Sequence, residues 1–265
     1  MAIFRSGDAQ LVYEITGTGP DVVLLHPFPL NHQFWDGVLE QLVRRYRVLL
    51  PDLRAHGDSE AGDGPVTMQK LAEDLQRLCR EFDIRRAVFV GVSIGGYTLF
   101  EFWRRYRDRV KAVVLANTRA GAETREGHAG RLQTAEKVLR EGTAGFVEDL
   151  VGKLVSPSTK TNRPDIVDAA RAMAMKMCPS DVAAVQRGMA DRPDSIATLT
   201  TIDVPTLVIA GEDDRVPLSE LELMHQRIAG SQLWVIAKAG HYAAMEQPVE
   251  FGRMLRTFLD AQARQ

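Results

Sequence analysis

Apolar and polar positions along the chain fall into two alternating regimes. Runs of β-branched and aliphatic residues read as strands at Gln10–Thr16, Val22–Leu25, Tyr46–Leu50, Ala87–Val90, Val110–Ala116, Val204–Gly211 and Gln232–Ile236. Gly17-Thr18-Gly19-Pro20 supplies the turn between the first two, and Pro51 closes the third. Between the strands the spacing changes. Leu71, Leu75, Leu78 and Phe82 recur at helical intervals and predict a helix over 68–82, with Thr67 as its cap. Tyr97–Tyr106 and Leu218–Ile228 read the same way, as does Pro248–Ala261, with Phe251, Leu255, Phe258 and Leu259 on its apolar face. Strand and helix in alternation predict an α/β fold with a parallel sheet covered by helices on both faces.

The alternation stops after Asn117-Thr118 and resumes at Val204. From Arg119 to about Ile202 the pattern is helical, rich in Ala, Arg and Met, and broken at Gly142, Pro157, Pro164 and Pro179. A helical insertion between two strands of one sheet predicts a lid over the carboxyl end of the sheet, where open α/β sheets bind ligands. The expected organisation is a core in two parts, residues 1–118 and 203–265, with a lid or cap at 119–202.

Composition narrows the partners. The 265 residues are 45% apolar and 26% charged, as in globular domains, and the formal charge of −2 carries no nucleic-acid footprint. No apolar run reaches the length of a membrane span, and Met1-Ala2-Ile3-Phe4-Arg5 lacks the apolar region of a signal peptide. Cys79 and Cys178 stand far apart, so the expectation is a cytoplasmic protein with both thiols reduced. No His, Asp and Cys cluster has ligand spacing and no phosphate loop is recognisable, so neither a metal nor another cofactor is expected. Oligomeric state is not encoded in any recognisable pattern.

The candidate chemistry begins at Gly91-Val92-Ser93-Ile94-Gly95-Gly96, between the strand at Ala87–Val90 and the helix at Tyr97–Tyr106. A serine flanked by glycines at a strand-to-helix junction reads as a nucleophile elbow. The sharp turn strains the serine backbone and leaves no room for bulky side chains two positions away. The helix that follows aims its N-terminal amides at a reacting carbonyl. An acyl-transfer serine also needs a base and a group to orient it. Gly211-Glu212-Asp213-Asp214-Arg215-Val216-Pro217 and Gly240-His241-Tyr242 both follow predicted strands. Either Asp213 or Asp214 could be the acid on this reading, with His241 the base.

These motifs resemble the α/β-hydrolase superfamily over nearly the whole chain, which implies that fold: a mostly parallel sheet of about eight strands flanked by helices, with a helical lid insertion. The matching segments are Leu25-His26-Pro27-Phe28-Pro29, Pro51 to Ser59, the elbow, Gly211 to Pro217, and Gly240-His241 with Glu246 and Pro248. Ala116 to Ala120 and Gly188 to Ser195 are similar to a bacterial branch of 3-oxoadipate enol-lactonase-like hydrolases. Phe28-Pro29-Leu30 is similar to the cofactor-free haloperoxidase and perhydrolase branch. The resemblance implies Ser93 as nucleophile, His241 as base and Asp214, through its Gly-x-x-Asp spacing, as acid. It implies that the backbone amides of Phe28 and Ile94 form an oxyanion hole. Two departures stand out: His26-Pro27 replaces the usual His-Gly, and Ala55 replaces a usual glycine.

The expected activity is hydrolysis of a small-molecule carboxylic ester or lactone through an acyl-enzyme. One alternative keeps the triad and transfers the acyl group to hydrogen peroxide, with Pro29 shaping the acceptor site; another is carbon–carbon bond hydrolysis. A non-enzyme alternative is a small-ligand receptor with an idle triad. Serine at the elbow disfavours epoxide and haloalkane hydrolysis, which use aspartate there. Trp35 could supply an aromatic pocket wall or ordinary packing, and Phe34 packing. Arg119, where the chain leaves the sheet, could pair with a substrate carboxylate or form a surface ion pair. Met173, Met175, Met177 and Met189 suit either a pocket roof or a helical core. His26 and His56 read as loop-holding residues, Glu246 as a loop anchor, and His32, His128 and His225 as surface or lid positions.

Overall fold

A computed structural model describes residues 1–263. Eight strands form one sheet: β1 (Ala2–Ser6), β2 (Ala9–Thr16), β3 (Asp21–Leu25), β4 (Arg47–Pro51), β5 (Ala87–Val92), β6 (Val110–Ala116), β7 (Thr206–Gly211) and β8 (Gln232–Ile236). Their spatial order is β1-β2-β4-β3-β5-β6-β7-β8. β2 runs antiparallel to both its neighbours, and every pairing from β4 to β8 is parallel.

The helices, in chain order, are α1 (Asp36–Leu39), α2 (Met68–Glu81), α3 (Ile94–Tyr106), α4 (Arg125–Glu141), α5 (Ala144–Leu154), α6 (Pro157–Asn162), α7 (Pro164–Ala174), α8 (Pro179–Ala190), α9 (Ile196–Leu199), α10 (Leu218–Arg227), α11 (Ala243–Glu246) and α12 (Pro248–Ala263). Thr67 caps α2 by accepting from the Lys70 amide at 3.2 Å. Segment 119–202 carries α4 to α9 between β6 and β7 and contributes no strand.

Side chains alternate along each strand, so one sheet feeds two cores. Val23, Leu25, Phe89, Val113 and Leu115 pack with Leu71, Leu75, Phe100 and Leu221 on one face. Val22, Leu24, Val88, Val90 and Val114 pack with Val38, Phe251 and Leu255 on the other. Burial on both faces explains the continuous apolar runs in the sequence.

Topology places the site. From β3 the chain crosses to β4 on one side and then returns to β5 on the other. The carboxyl ends of β3 and β5 therefore diverge at a switch point, where a crevice opens. Leu25 pairs with Gly91 there, just before the segments carrying Phe28 and Ser93.

Three details differ from the sequence expectation. β1 lacks an apolar run because it is an edge strand whose first four residues are exposed or half-buried. The turns over His32–Leu39 are too short for a periodic signal. His32 is not a surface or lid residue: it is 6% exposed, and its Nδ1 lies 2.6 Å from Asp52 Oδ1. Asp52 also accepts from the His32 and Asp58 amides, fixing the loop after β4 to the loop after β3.

Candidate active site

Ser93 joins β5 to α3 with φ 55° and ψ −112°, outside the usual regions for a side-chain-bearing residue. The surroundings enforce this conformation. The Ser93 amide donates to the Ala116 carbonyl at 3.0 Å, and the Ser93 carbonyl accepts from Thr118 Oγ1 at 2.8 Å and the Tyr97 amide at 3.1 Å. A Cβ on Gly91 would lie 2.5 Å from the Gly95 carbonyl carbon, and one on Gly95 would lie 2.6 Å from the Leu25 oxygen. Strand, helix and neighbouring strand are thus closer than any other residue allows.

Asp214 and His241 arrive from the ends of β7 and β8. His241 Nδ1 and Asp214 Oδ1 are 2.8 Å apart. The Asp214 side chain is 1% exposed, whereas Asp213 lies on the exposed surface with only its amide anchored, to the Ala239 carbonyl. Burial works to raise the Asp214 carboxyl, but the His241 charge, its hydrogen bond and donors from Asn117 and Val216 hold it below its ordinary value. Glu246, 4% exposed, gathers the His241 loop by accepting from the Gly240, Tyr242 and Ser156 amides and from Thr159 Oγ1. A buried carboxylate between the loop and α6 therefore anchors the segment that carries the imidazole.

Ser93 and His241 face one cavity of about 300 Å³. Phe28, Leu150, Leu154, Met189 and Val216 supply its apolar wall; Tyr97, Gln186, Arg119, Arg131 and Arg215 supply polar groups. Phe28 follows Pro27, whose carbonyl accepts from the Leu30 amide and lies 3.0 Å from His26 Nδ1. Ile94 is the first residue of α3, where amide groups have no intrahelical acceptor. Among the described residues no group of three or more His, Cys, Asp or Glu side chains is arranged to hold a metal.

The other singled-out residues divide. Arg119 is on the cavity wall and also bonds Glu123 Oε2 at 2.8 Å. Trp35 is not a pocket wall: it is fully buried, stacked edge-on against Phe34 at 4.9 Å and beside Phe251 at 5.9 Å. The apolar face of α12 needs a large cover there, and the indole provides it. Pro29 is likewise buried and off the cavity wall, one residue beyond Phe28. Met189 lines the cavity, Met177 sits in a core and Met175 is 46% exposed. A larger cavity of about 490 Å³, near Phe34, Met173 and Pro248, contains none of the three triad candidates.

His26 and His56 hold loops. His26 Nε2 accepts from the Leu53 amide at 2.9 Å, and His56 Nδ1 lies 2.9 Å from the Arg54 carbonyl. Burial pushes His26 down to about 4 and His56 to about 3, so both are neutral near pH 7. Sequence reasoning missed Asn117, Thr118, Glu123, Arg131, Gln186 and Arg215. A polar pair directly after a buried strand was the signal for Asn117 and Thr118; the others are spread over separate elements and had none.

No helix among the described residues is long and apolar enough to cross a membrane. A family model described as the alpha/beta hydrolase fold matches residues 20–248. A malate-bound structure of a thermophilic esterase from Thermogutta terrifontis is 39% identical, with TM-score 0.94, covering 96% of this chain and 94% of that one. 3-Oxoadipate enol-lactonase 1 of Acinetobacter baylyi is 28% identical over 257 residues, 91% of this chain and 88% of the relative. A bromoperoxidase from Bacillus anthracis, at 23% identity and TM-score 0.86 over 95% and 96% of the two chains, shares the fold. Extending over most of its length, this match establishes that the chain belongs to the alpha/beta hydrolase fold family.

Proposed function

We propose that the protein hydrolyses small carboxylic esters or lactones through an acyl-enzyme on Ser93. The observation that carries this reading is convergence: a strained serine and an imidazole bonded to a buried carboxylate reach one cavity from three strand ends. Relatives named as an esterase and an enol-lactonase support the same class of substrate.

In the first step Ser93 Oγ attacks the acyl carbon while His241 Nε2 takes the hydroxyl proton. Asp214 holds Nδ1–H, fixes the tautomer and balances the imidazolium. The carbonyl π electrons move onto oxygen, and the amides of Phe28 and Ile94 donate to that oxyanion. Collapse breaks the bond to the leaving oxygen, which receives the proton from His241. Water then attacks the acyl-enzyme, gives its proton to His241, and the acid departs as Ser93 recovers its proton. Segment 119–202 serves as a lid between the core parts 1–118 and 203–265, since Arg131, Leu150, Leu154, Gln186 and Met189 in it face the cavity. Water is the acceptor in this reading.

The test is hydrolysis of 4-nitrophenyl esters from acetate to octanoate by wild type and Ser93→Ala. Turnover is expected to fall on the order of a million-fold in the variant. Equal rates in both proteins, with the fold intact by circular dichroism, would overturn the reading.

A further inference from the structure

Three arginines line the cavity. Arg119 comes from the exit of β6, Arg131 from α4 and Arg215 from the loop after β7. Arg119 and Arg131 share Glu123, whose side chain is only 4% exposed. It accepts from Arg131 Nε at 2.5 Å and Arg119 Nη2 at 2.8 Å, and it also pairs with Arg192. Arg192 is 2% exposed and lies over the Tyr97 ring at 4.4 Å from the centroid. Burial works to raise the Glu123 carboxyl, yet the surrounding guanidiniums push it down to about 2, so it stays ionised.

One carboxylate facing three guanidiniums leaves positive charge uncompensated in a half-buried wall. The geometry also leaves donors available. A guanidinium has five N–H groups. Arg119 spends one on Glu123 and also lies in contact with the Tyr97 side chain, and Arg131 spends one on Glu123 and one on Gln186 Oε1 at 3.1 Å. Glu123 acts as a positioning residue: it holds two long side chains at the cavity without using up their charge. Arg215 is exposed, so solvent weakens its contribution.

We propose that the preferred substrate is an ester or lactone whose non-reacting end is a carboxylate, bound by Arg119 and Arg131. This rests on the hydrolase reading of the same cavity. Planar guanidinium forks match a carboxylate, and an uncharged ester offers nothing to the unfilled donors. Phe28, Leu154 and Met189 receive the short apolar chain between the two ends.

The experiment compares 4-nitrophenyl hydrogen glutarate with 4-nitrophenyl 5-methylhexanoate, which replaces the carboxylate by an isopropyl group of similar shape. Wild type is expected to favour the anionic ester in kcat/KM by about tenfold or more. Arg119→Gln and Arg131→Gln are each expected to lower the preference for the anionic over the neutral ester in kcat/KM about tenfold. Circular dichroism and a thermal melt of each variant check folding. Arg131→Lys, which keeps charge but not the fork, is expected to recover part of the loss. Binding of glutarate itself, by calorimetry, separates the two readings. Hydrolysis of both esters without anionic preference, together with no glutarate binding, overturns the carboxylate proposal and leaves the hydrolase reading standing. Glutarate binding that Arg131→Gln abolishes, with neither ester hydrolysed, supports the carboxylate site and overturns the hydrolase reading. Neither binding nor hydrolysis overturns both.

Discussion

Asn117 Nδ2 donates to Asp214 Oδ2 at 2.8 Å, on the carboxylate oxygen that His241 does not use. The same amide reaches the Gly240 carbonyl at 3.2 Å. One side chain at the end of β6 thereby ties the acid from β7 to the loop bearing the imidazole. Asn117 has φ 47°, in the left-handed region.

Replacing Asn117 by glycine tolerates that backbone conformation and removes only the amide. Turnover of 4-nitrophenyl acetate is expected to fall about tenfold, the worth of one hydrogen bond to a charged group, with KM little changed. Steady-state kinetics beside a circular dichroism spectrum checks this. An unchanged kcat would show that the tie is dispensable.

The two adjacent aspartates separate cleanly. Asp214→Asn is expected to lose on the order of ten-thousand-fold in kcat, because an amide there favours the wrong imidazole tautomer. Asp213→Asn, on the exposed side of the loop, is expected to stay within about twofold. The opposite ranking in a parallel assay would move the acid to Asp213.

Glycine substitutions test the close approach at the elbow. Gly95→Ala puts a methyl 2.6 Å from the Leu25 carbonyl oxygen and is expected to destabilise the protein by about 1–3 kcal/mol and to depress kcat. Gly130→Ala, in α4, meets nothing within 4 Å and is expected to stabilise by roughly 0.5–1 kcal/mol. Thermal melts of the two variants should shift in opposite directions.

Glu123 makes stability depend on pH. Its carboxyl is held at about 2 against an ordinary 4.5, so the folded state favours the ionised form. The contribution is complete above pH 4.5 and disappears as pH falls toward 2; its size at neutral pH is about 3 kcal/mol. Glu123→Gln is therefore expected to unfold at lower temperature than wild type at pH 7, and the gap should narrow as the pH is lowered to 3. A gap independent of pH would mean that charge at this position does not support the fold.

Local pattern determined the frame of this protein. Strands such as β5 and β6 are buried on both faces, so they are apolar throughout and visible without neighbours. The α3 and α12 helices carry their own periodicity. The strained turn at Ser93 was legible because its backbone constraint is written in adjacent glycines, and the placement of His241 because it follows a strand end. What sequence alone left open depended on distance between segments far apart in the chain. Asp213 and Asp214 have the same chemistry and adjacent positions; only the fold buries one and exposes the other. Trp35 has the composition of a pocket wall, but α12 covers it from more than two hundred residues away. The arginine wall is the clearest case. Arg119 drew notice only through its place at the end of a strand, and Arg131 and Arg215, on two other elements, look like ordinary surface charges in one dimension. The return of the chain through α4 and back to β7 brings them to one cavity, with Glu123 buried against Arg119 and Arg131. Electrostatic interaction depends on separation in space, which tertiary packing alone decides.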